Sequence, residues 1–218
     1  MKKLSGTIFD ARERDPRDGG DEAEGEPRWS GNSILRPAIT LLILMTVITG
    51  IAYPLAVTGV AKVLFPWQAA GSLIVKDGKP VGSRLIGQPF SDPRYFWSRP
   101  SATRPQPYNG LSSGGSNLGP LNPALTDAVK ARIAALQAAD PTNHAPIPVD
   151  LVTASGSGLD PDISVAAAYY QADRVARARR LSLAQVQALI GAHAKRPWLI
   201  GEPHVNVLEL NLALDDLR

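Results

Sequence analysis

The feature that most constrains this chain is one long apolar stretch that carries no charge. Between Arg36 and Lys62, the segment Pro37–Ala61 holds 25 residues, none of them charged and 17 of them apolar. A helix rises about 1.5 Å per residue, so the segment would extend roughly 37 Å, more than the ~30 Å hydrocarbon core of a bilayer. The stretch therefore predicts a membrane-spanning helix rather than a buried helix of a soluble protein.

The surroundings of the stretch favour a permanent anchor. Phe65 and Trp67 follow it, where aromatic side chains prefer the membrane–water interface. Pro54 lies inside it, and membrane helices tolerate proline as a kink. A cleaved signal peptide has a shorter apolar region, about 7–15 residues, near the N-terminus. We therefore predict a single-pass transmembrane helix over residues 34–65 that is not cleaved.

The segments on the two sides of this helix predict its orientation. Residues 1–33 are polar, mix charges of both signs and show no helical or strand period, which is typical of a disordered tail. Seven Lys and Arg precede the apolar stretch, and the positive-inside rule counts these rather than the neighbouring acids. We therefore expect a cytoplasmic N-terminus and an extracytoplasmic soluble domain over residues 66–218.

Composition excludes several classes of chemistry. The chain contains no Cys, so disulfides, zinc–thiolate sites, iron–sulfur clusters and a Cys nucleophile are ruled out. The residues His144, His193 and His204 lie far apart and lack metal-ligand spacing. No catalytic motif accompanies them, so we expect neither a metal site nor a catalytic residue. The net charge of +3 is too small to indicate a nucleic-acid partner.

Residues 66–218 combine strand and helix signals, which predicts an α+β soluble domain anchored by a single N-terminal transmembrane helix. Asp77-Gly78 between two short apolar runs indicates a β-hairpin. Helices are predicted to begin after the N-cap residues Asn122, Ser164 and Ser182, and Gln185 completes a capping box with Ser182.

Two segments of this domain are irregular in the sequence. Residues 90–122 are rich in Gly, Pro, Ser and Asn and predict a long loop, and their aromatic residues argue against disorder. Residues 205–214 alternate between apolar and polar types with a slip at 207/208. The slip leaves open a bulged strand or a strand that turns into a helix.

Two Gly-Ser segments are the first candidates for a functional site. Residues 112–117 could expose backbone N–H groups as an anion nest, or form a tight turn. Residues 154–160 share their small, flexible character. Two such segments indicate a close backbone approach to a ligand, to a partner or to each other. Asp160 and Asp162 could act as paired carboxylates of an exported enzyme, although Asp-Pro-Asp before a helix is more often a turn and cap.

Several specific segments follow one another in a fixed order from about Leu35 to Arg218. They are L-R-P-A at 35–38, F-P-W-Q-A-A-G-S-L-I at 65–74, L-I-G-Q-P-F at 85–90, Y-F-W-S-R-P-S-A-T at 95–103, S-S-G-G-S-N-L at 112–118, D-L-V-T-A-S-G-S-G-L-D-P-D-I-S at 150–164 and V-N-V-L-E-L-N-L-A-L at 205–214. Together these segments resemble one known family, the C subunit of the bacterial Kdp potassium-transporting P-type ATPase. The first 33 residues depart from the family, whose members begin almost directly with the membrane helix.

The resemblance implies an accessory, non-catalytic subunit at the cell inner membrane. Its partners would be a channel-like potassium-binding subunit and an ATP-hydrolysing P-type subunit, beside membrane lipid. The chain lacks the D-K-T-G phosphorylation motif of those pumps. Family members are assigned a chaperone role that raises the ATP affinity of the catalytic subunit. ATP would then be met through that subunit, with no cofactor bound firmly by this chain.

The resemblance also suggests candidate residues. Nucleotide contact would fall on Ser112, Ser113, Gly114, Gly115, Ser116 and Asn117. Partner contact would fall on Tyr95, Phe96, Arg99, Ser155, Gly156, Asp160 and Asp162. ATP is cytoplasmic, whereas the predicted topology places these residues outside. The alternative is therefore a periplasmic domain that modulates potassium entry into the channel-like subunit without touching nucleotide.

Overall fold

A computed structural model describes residues 31–217 of the chain. The predicted disordered tail lies outside the described residues except for its last three positions, which already belong to the first helix. That helical run consists of α1 (Gly31–Val47), a π-helical turn (Ile48–Ala52) and α2 (Tyr53–Leu64). Its apolar part, Ile34–Leu64, is 31 residues long with a mean hydropathy of 2.1. At 1.5 Å per residue it extends about 46 Å, enough to cross a bilayer.

Two hydroxyls of the membrane helix are bonded to the backbone of the helix itself, which suits a lipid environment. The hydroxyls of Thr46 and Thr49 donate to the carbonyls of Leu42 and Met45, both at 2.7 Å. The π-helical turn lies just before Pro54, where the N–H of Tyr53 donates to the carbonyl of Ile48. A proline ring clashes with the carbonyl four residues earlier, so a wider turn relieves the crowding without breaking the helix.

The soluble domain begins with a short helix and the predicted hairpin. Helix α3 (Pro66–Ala69) leads into β1 (Leu73–Lys76) and β2 (Lys79–Ser83), which pair antiparallel. Asp77 and Gly78 both have positive φ, +51° and +72°, as a two-residue hairpin turn requires. The hairpin prediction is therefore confirmed.

The three predicted helices are confirmed together with their caps. They are α4 (Pro123–Ala139), α5 (Val165–Arg179) and α6 (Leu183–His193). The side chains of Asn122, Ser164 and Ser182 accept hydrogen bonds from backbone N–H groups of the first helical turn, and Ser182 and Gln185 form a capping box. A side-chain acceptor at the N-cap satisfies one N–H that the helix itself leaves unpaired.

Residues 204–216 resolve the alternative that the sequence left open. Strand β4 (His204–Asn206) turns directly into helix α7 (Val207–Asp216), and Asn206 caps that helix through the N–H of Glu209. Strand β3 (Asp162–Ser164) turns into α5 in the same way, and β3 and β4 pair antiparallel. The slip at 207/208 is therefore the junction between a strand and a helix, not a bulge.

These two strand–helix units repeat each other in sequence and in contacts. Residues 160–165 read D-P-D-I-S-V and residues 202–207 read E-P-H-V-N-V. The N–H of Val165 donates to the carbonyl of Pro203 at 2.9 Å, and that of Val207 donates to Pro161 at 3.0 Å. The pair is thus related by an approximate two-fold axis between the strands. An acid–proline pair begins each unit.

The core of the domain forms around α5, which packs against α6 and the two strands. Its small residues let the neighbouring elements approach closely. The largest fully buried side chains come from α5, α6, α7, the strands and two of the connecting segments; among them are Phe96, Leu151, Ile163, Val175, Val186, Ile190, Val205, Leu210 and Leu214. The α+β fold class predicted from the sequence is confirmed.

Candidate functional site

The two Gly-Ser segments of the sequence lie against each other. The N–H of Gly114 donates to the carbonyl of Ser157 at 2.9 Å, and the Ser113 hydroxyl donates to the same carbonyl at 3.1 Å. A Cβ on Gly115 would lie 3.0 Å from the carbonyl oxygen of Gly156. Of the three alternatives for the glycines, the structure therefore supports close approach of the segments to each other. We call residues 112–117 and 154–158 together the glycine junction.

Gly158 is the most constrained position of the glycine junction. Its φ is +67°, and a Cβ there would lie 2.6 Å from both the Gly114 oxygen and Thr103 Cγ2. Its N–H donates to the hydroxyl oxygen of the buried Ser155 at 2.9 Å, and its carbonyl accepts a hydrogen bond from the Ser101 hydroxyl at 2.6 Å. Only glycine combines this backbone angle with this packing.

The remaining residues of the predicted nucleotide site lie at the surface. Ser112, Ser116 and Asn117 are exposed, and Asn117 has a positive φ of +53°. Of these three, Ser116 borders a groove of about 440 Å³ beside α4. Most of its lining is apolar, and its members include Pro100, Ala102, Leu118, Leu125, Val129, Arg132 and Val152.

Three of the predicted partner residues, Arg99, Asp160 and Asp162, form a second group joined by polar contacts, whereas Ser155 and Gly156 belong to the glycine junction. Arg99 Nη1 lies 2.8 Å from Asp160 Oδ2, and the other oxygen of Asp160 accepts from the N–H of Asp162 at 3.1 Å. Asp162 in turn accepts from Asn206 at 3.1 Å. These carboxylates therefore hold the turn before β3, which agrees with the turn interpretation of Asp-Pro-Asp, whereas the N-cap of α5 is Ser164.

Two other predicted partner residues belong to the scaffold. Phe96 is fully buried in the core, so its side chain presents no surface. Tyr95 is partly buried and donates from its hydroxyl to Asp215 at 3.1 Å, while the Arg179 guanidinium lies 4.6 Å from its ring centroid. The aromatic residues of the long loop thus order that loop against the helices.

Two buried amide side chains fix the loop, and the sequence analysis did not single them out. Asn211 accepts from the N–H of Phe96 at 2.8 Å and donates to its carbonyl at 3.0 Å. Gln171 does the same for Trp97, at 2.8 and 3.1 Å. Each amide side chain thereby makes the pair of hydrogen bonds that a neighbouring strand would otherwise make with the loop backbone. The sequence signal that could have identified them is an amide side chain on an otherwise apolar face of a predicted helix.

Trp97 is enclosed by two arginines. The guanidinium carbons of Arg174 and Arg132 lie 4.8 and 5.3 Å from its ring centroid. Arg174 also donates to the carbonyls of Pro93 and Tyr95. Burial lowers the pKa of Arg174 from 12.5 to about 10 and also lowers that of Arg132, so Arg174 stays charged at neutral pH and binds the loop as a cation.

Comparison with known proteins agrees with the resemblance in the sequence. A family model described as KdpC, K+-transporting ATPase, c chain, matches residues 35–216. The chain is 68% identical over 187 residues to the potassium-transporting ATPase KdpC subunit of Variovorax paradoxus (strain S110), which covers 84% of this chain and 96% of that relative. It is 66% identical over 188 residues to the KdpC subunit of Polaromonas naphthalenivorans (strain CJ2), over 85% and 96% of the two chains.

The match includes both the apolar helix and the α+β domain, because it begins at residue 35 and ends at residue 216. The relatives align over nearly their whole length, as a third, the KdpC subunit of Dechloromonas aromatica (strain RCB), also does at 65% identity and 98% coverage. The chain belongs to the KdpC family, the c chain of K+-transporting ATPases.

Proposed function

We propose that this chain is an accessory, non-catalytic subunit that assembles and stabilises a potassium-transporting ATPase in the inner membrane. The helix Ile34–Leu64 anchors it, with the N-terminus in the cytoplasm and the α+β domain outside. Its partners are the channel-like potassium-binding subunit and the ATP-hydrolysing P-type subunit. The observation that carries the proposal is the family match, which spans the anchor and the domain together.

The chaperone effect on ATP affinity is, in this proposal, transmitted through the assembled complex. The glycine junction gives the reason, because the N–H of Gly114 is already donated to Ser157 and an anion nest needs free N–H groups. An extracytoplasmic domain also lies on the side of the membrane away from ATP. Direct nucleotide contact by residues 112–117 is the competing explanation.

Deletion of residues 66–218 tests the assembly role. The complex is purified with the full chain and with the deletion, and its yield and potassium transport are measured. We expect loss of the assembled complex, because the domain that carries the partner contacts is missing. Normal transport by a complex without this domain would overturn the proposal.

A Gly114→Val substitution separates the two routes to ATP affinity. A Cβ at Gly114 meets no atom within 4 Å, so the fold tolerates the change, and Gly119→Val, which is equally open, serves as the matched control. We expect the KM of the complex for ATP to be unchanged in both. A raised KM in Gly114→Val alone would support direct nucleotide contact. A changed apparent affinity for potassium with an unchanged KM for ATP would favour the role in potassium entry.

The absence of native Cys allows a clean test of sidedness. Leu121 is 96% exposed, so Leu121→Cys is accessible to a membrane-impermeant maleimide. In right-side-out vesicles we expect labelling of Leu121→Cys and protection of Ser5→Cys until the membrane is permeabilised. The opposite pattern would place the domain in the cytoplasm and would refute the topology.

A further inference from the structure

The most exposed apolar segment of the domain is the loop between α6 and β4. Trp198, Leu199 and Ile200 are 94%, 75% and 87% exposed. Three consecutive large apolar side chains at the surface of a soluble domain are unusual and mark an interaction site when they form one patch. Other strongly exposed apolar residues of the domain, Leu111 and Leu121, stand singly along the chain.

The structure holds this loop in place at its base. Lys195 and His204 pair across it, with N–H···O distances of 2.8 and 3.0 Å between their backbones. Pro197 precedes the apolar residues, and Gly201, with a φ of +122°, follows them. A Cβ on Gly201 would lie 3.0 Å from Pro197 Cγ. The three side chains are therefore displayed from a closed loop, which lowers the entropy lost when they bind.

The loop also forms one wall of an acidic cleft of about 330 Å³. Pro197, Ile200 and Gly201 line the cleft from the loop. The ionisable side chains that line it are four carboxylates, one guanidinium and one imidazole, which gives a formal charge of −3 with the histidine neutral; they are Asp150, Asp160, Asp162, Glu202, Arg99 and His204. The cleft therefore attracts a cationic side chain.

The approximate two-fold repeat identifies the carboxylate that is available for such a contact. Asp160 and Glu202 occupy equivalent positions, each before the proline of its strand–helix unit. Asp160 is paired with Arg99 at 2.8 Å. Glu202, which is exposed, makes no ion pair among residues 31–217. Asp160 thus has a cationic partner, whereas Glu202, its equivalent in the repeat, has none within the described part of the chain.

We propose that the loop 197–201 and the adjoining cleft dock a protein partner: another chain of the potassium-transporting ATPase, with an apolar socket for Trp198 beside a Lys or Arg that pairs with Glu202. The proposal rests on the assembly role proposed above. Charge distinguishes the partner from two other occupants. An anionic lipid surface is repelled by the cleft, and a two-fold contact between copies of this chain would bring two copies of the same acidic cleft together.

Photocrosslinking in the intact complex tests the occupant directly. A benzophenone amino acid replaces Trp198 in the full chain, the membranes are irradiated, and the adducts of the purified complex are identified by mass spectrometry. The same residue at Leu121, which is equally exposed, is the matched control. We expect a Trp198 adduct to a peptide of another subunit that contains or adjoins a Lys or Arg. An adduct to lipid alone, to a second copy of this chain, or to no protein would overturn the proposal.

Charge reversal tests the pairing. Because central Trp contacts carry much of the affinity of an interface, we expect Trp198→Ala to weaken retention of the chain in the complex about tenfold or more, and Leu121→Ala to leave it unchanged. We expect Glu202→Lys to weaken retention of the chain as well. Replacing the crosslinked Lys or Arg of the partner by Glu should restore retention of the Glu202→Lys variant. If Glu202→Lys binds normally, or the exchange restores nothing, the docking contact is wrong. The assembly role would survive that result, since it fails only if the complex works without residues 66–218.

Discussion

Substitution of Gly158 by alanine tests the central element of the candidate site, the contact between the two Gly-Ser segments. Alanine at a φ of +67° carries the penalty of the left-handed region, roughly 1–2 kcal/mol. Its Cβ would also lie 2.6 Å from the Gly114 oxygen and from Thr103 Cγ2, and overpacking of this kind costs about 1–3 kcal/mol. Alanine restricts the unfolded chain and thereby returns about 0.4–1 kcal/mol.

The expected net loss in the free energy of unfolding is therefore about 3 kcal/mol. For a domain near 150 residues, 1 kcal/mol shifts the melting temperature by roughly 2–4 °C. We expect Gly158→Ala to lower the Tm by about 6–12 °C, measured by tryptophan fluorescence on the full chain in detergent.

Gly114→Ala is the matched control, since it changes the same residue type on the opposite side of the same contact. Its Cβ meets no atom within 4 Å and its φ lies outside the left-handed region, so its free energy of unfolding should stay within about 1 kcal/mol of the wild type. Equal melting temperatures for the two variants would refute the packing argument. A strong loss in Gly114→Ala alone would show that the contact is constrained at Gly114 rather than at Gly158.

Three further predictions concern the scaffold around the site. Arg174→Met leaves the carbonyls of Pro93 and Tyr95 without their donor, so it should lower the free energy of unfolding in urea by about 3 kcal/mol. A loss no greater than that of the substitution Arg196→Met, at an exposed arginine, would contradict this prediction. Asn206→Ala removes the cap of α7 and the donor to the Arg84 carbonyl, so we expect about 2 kcal/mol of destabilisation in the same assay, and an unchanged midpoint would be evidence against it. The hydrogen bonds from Arg94 hold the pKa of Asp92 below its usual 3.8. The stabilisation from these bonds is therefore present at neutral pH and is lost as the pH falls through the folded-state pKa of Asp92. The difference in unfolding free energy between wild type and Asp92→Asn should narrow from pH 7 to about pH 3, and a difference that widens would contradict the prediction.

Local chemistry explains which elements could be predicted. The membrane helix could be predicted from the lack of charge between Arg36 and Lys62. The free-energy cost of placing a charge in a bilayer does not depend on how the rest of the chain folds. The starts of α4, α5 and α6 follow from Asn122, Ser164 and Ser182, because a cap contacts only its own first turn. The family followed from several short segments in a fixed order.

Contacts between distant segments decided the rest. The glycines of residues 112–117 were compatible with a ligand, a partner or each other, and only the position of Ser157 selects among them. Residues 204–207 were ambiguous because a three-residue strand has too few alternations to show its period, and pairing with β3 defines it. Gln171 and Asn211 look like helix residues until the backbone of Phe96 and Trp97 is placed beside them.

The sequence by itself determined the anchor, helices α4, α5 and α6 with their caps, the α+β class and the family, since each depends on residues that are neighbours along the chain. The tertiary structure decided what the site is made of: which backbones touch at the glycine junction, which aromatic residues are buried, and that Trp198 lies exposed beside an acidic cleft. Those facts depend on residues far apart in the chain, such as Phe96 and Asn211, which are 115 positions apart. Burial and close approach at such separations are set by the packing of the whole domain, not by local pattern.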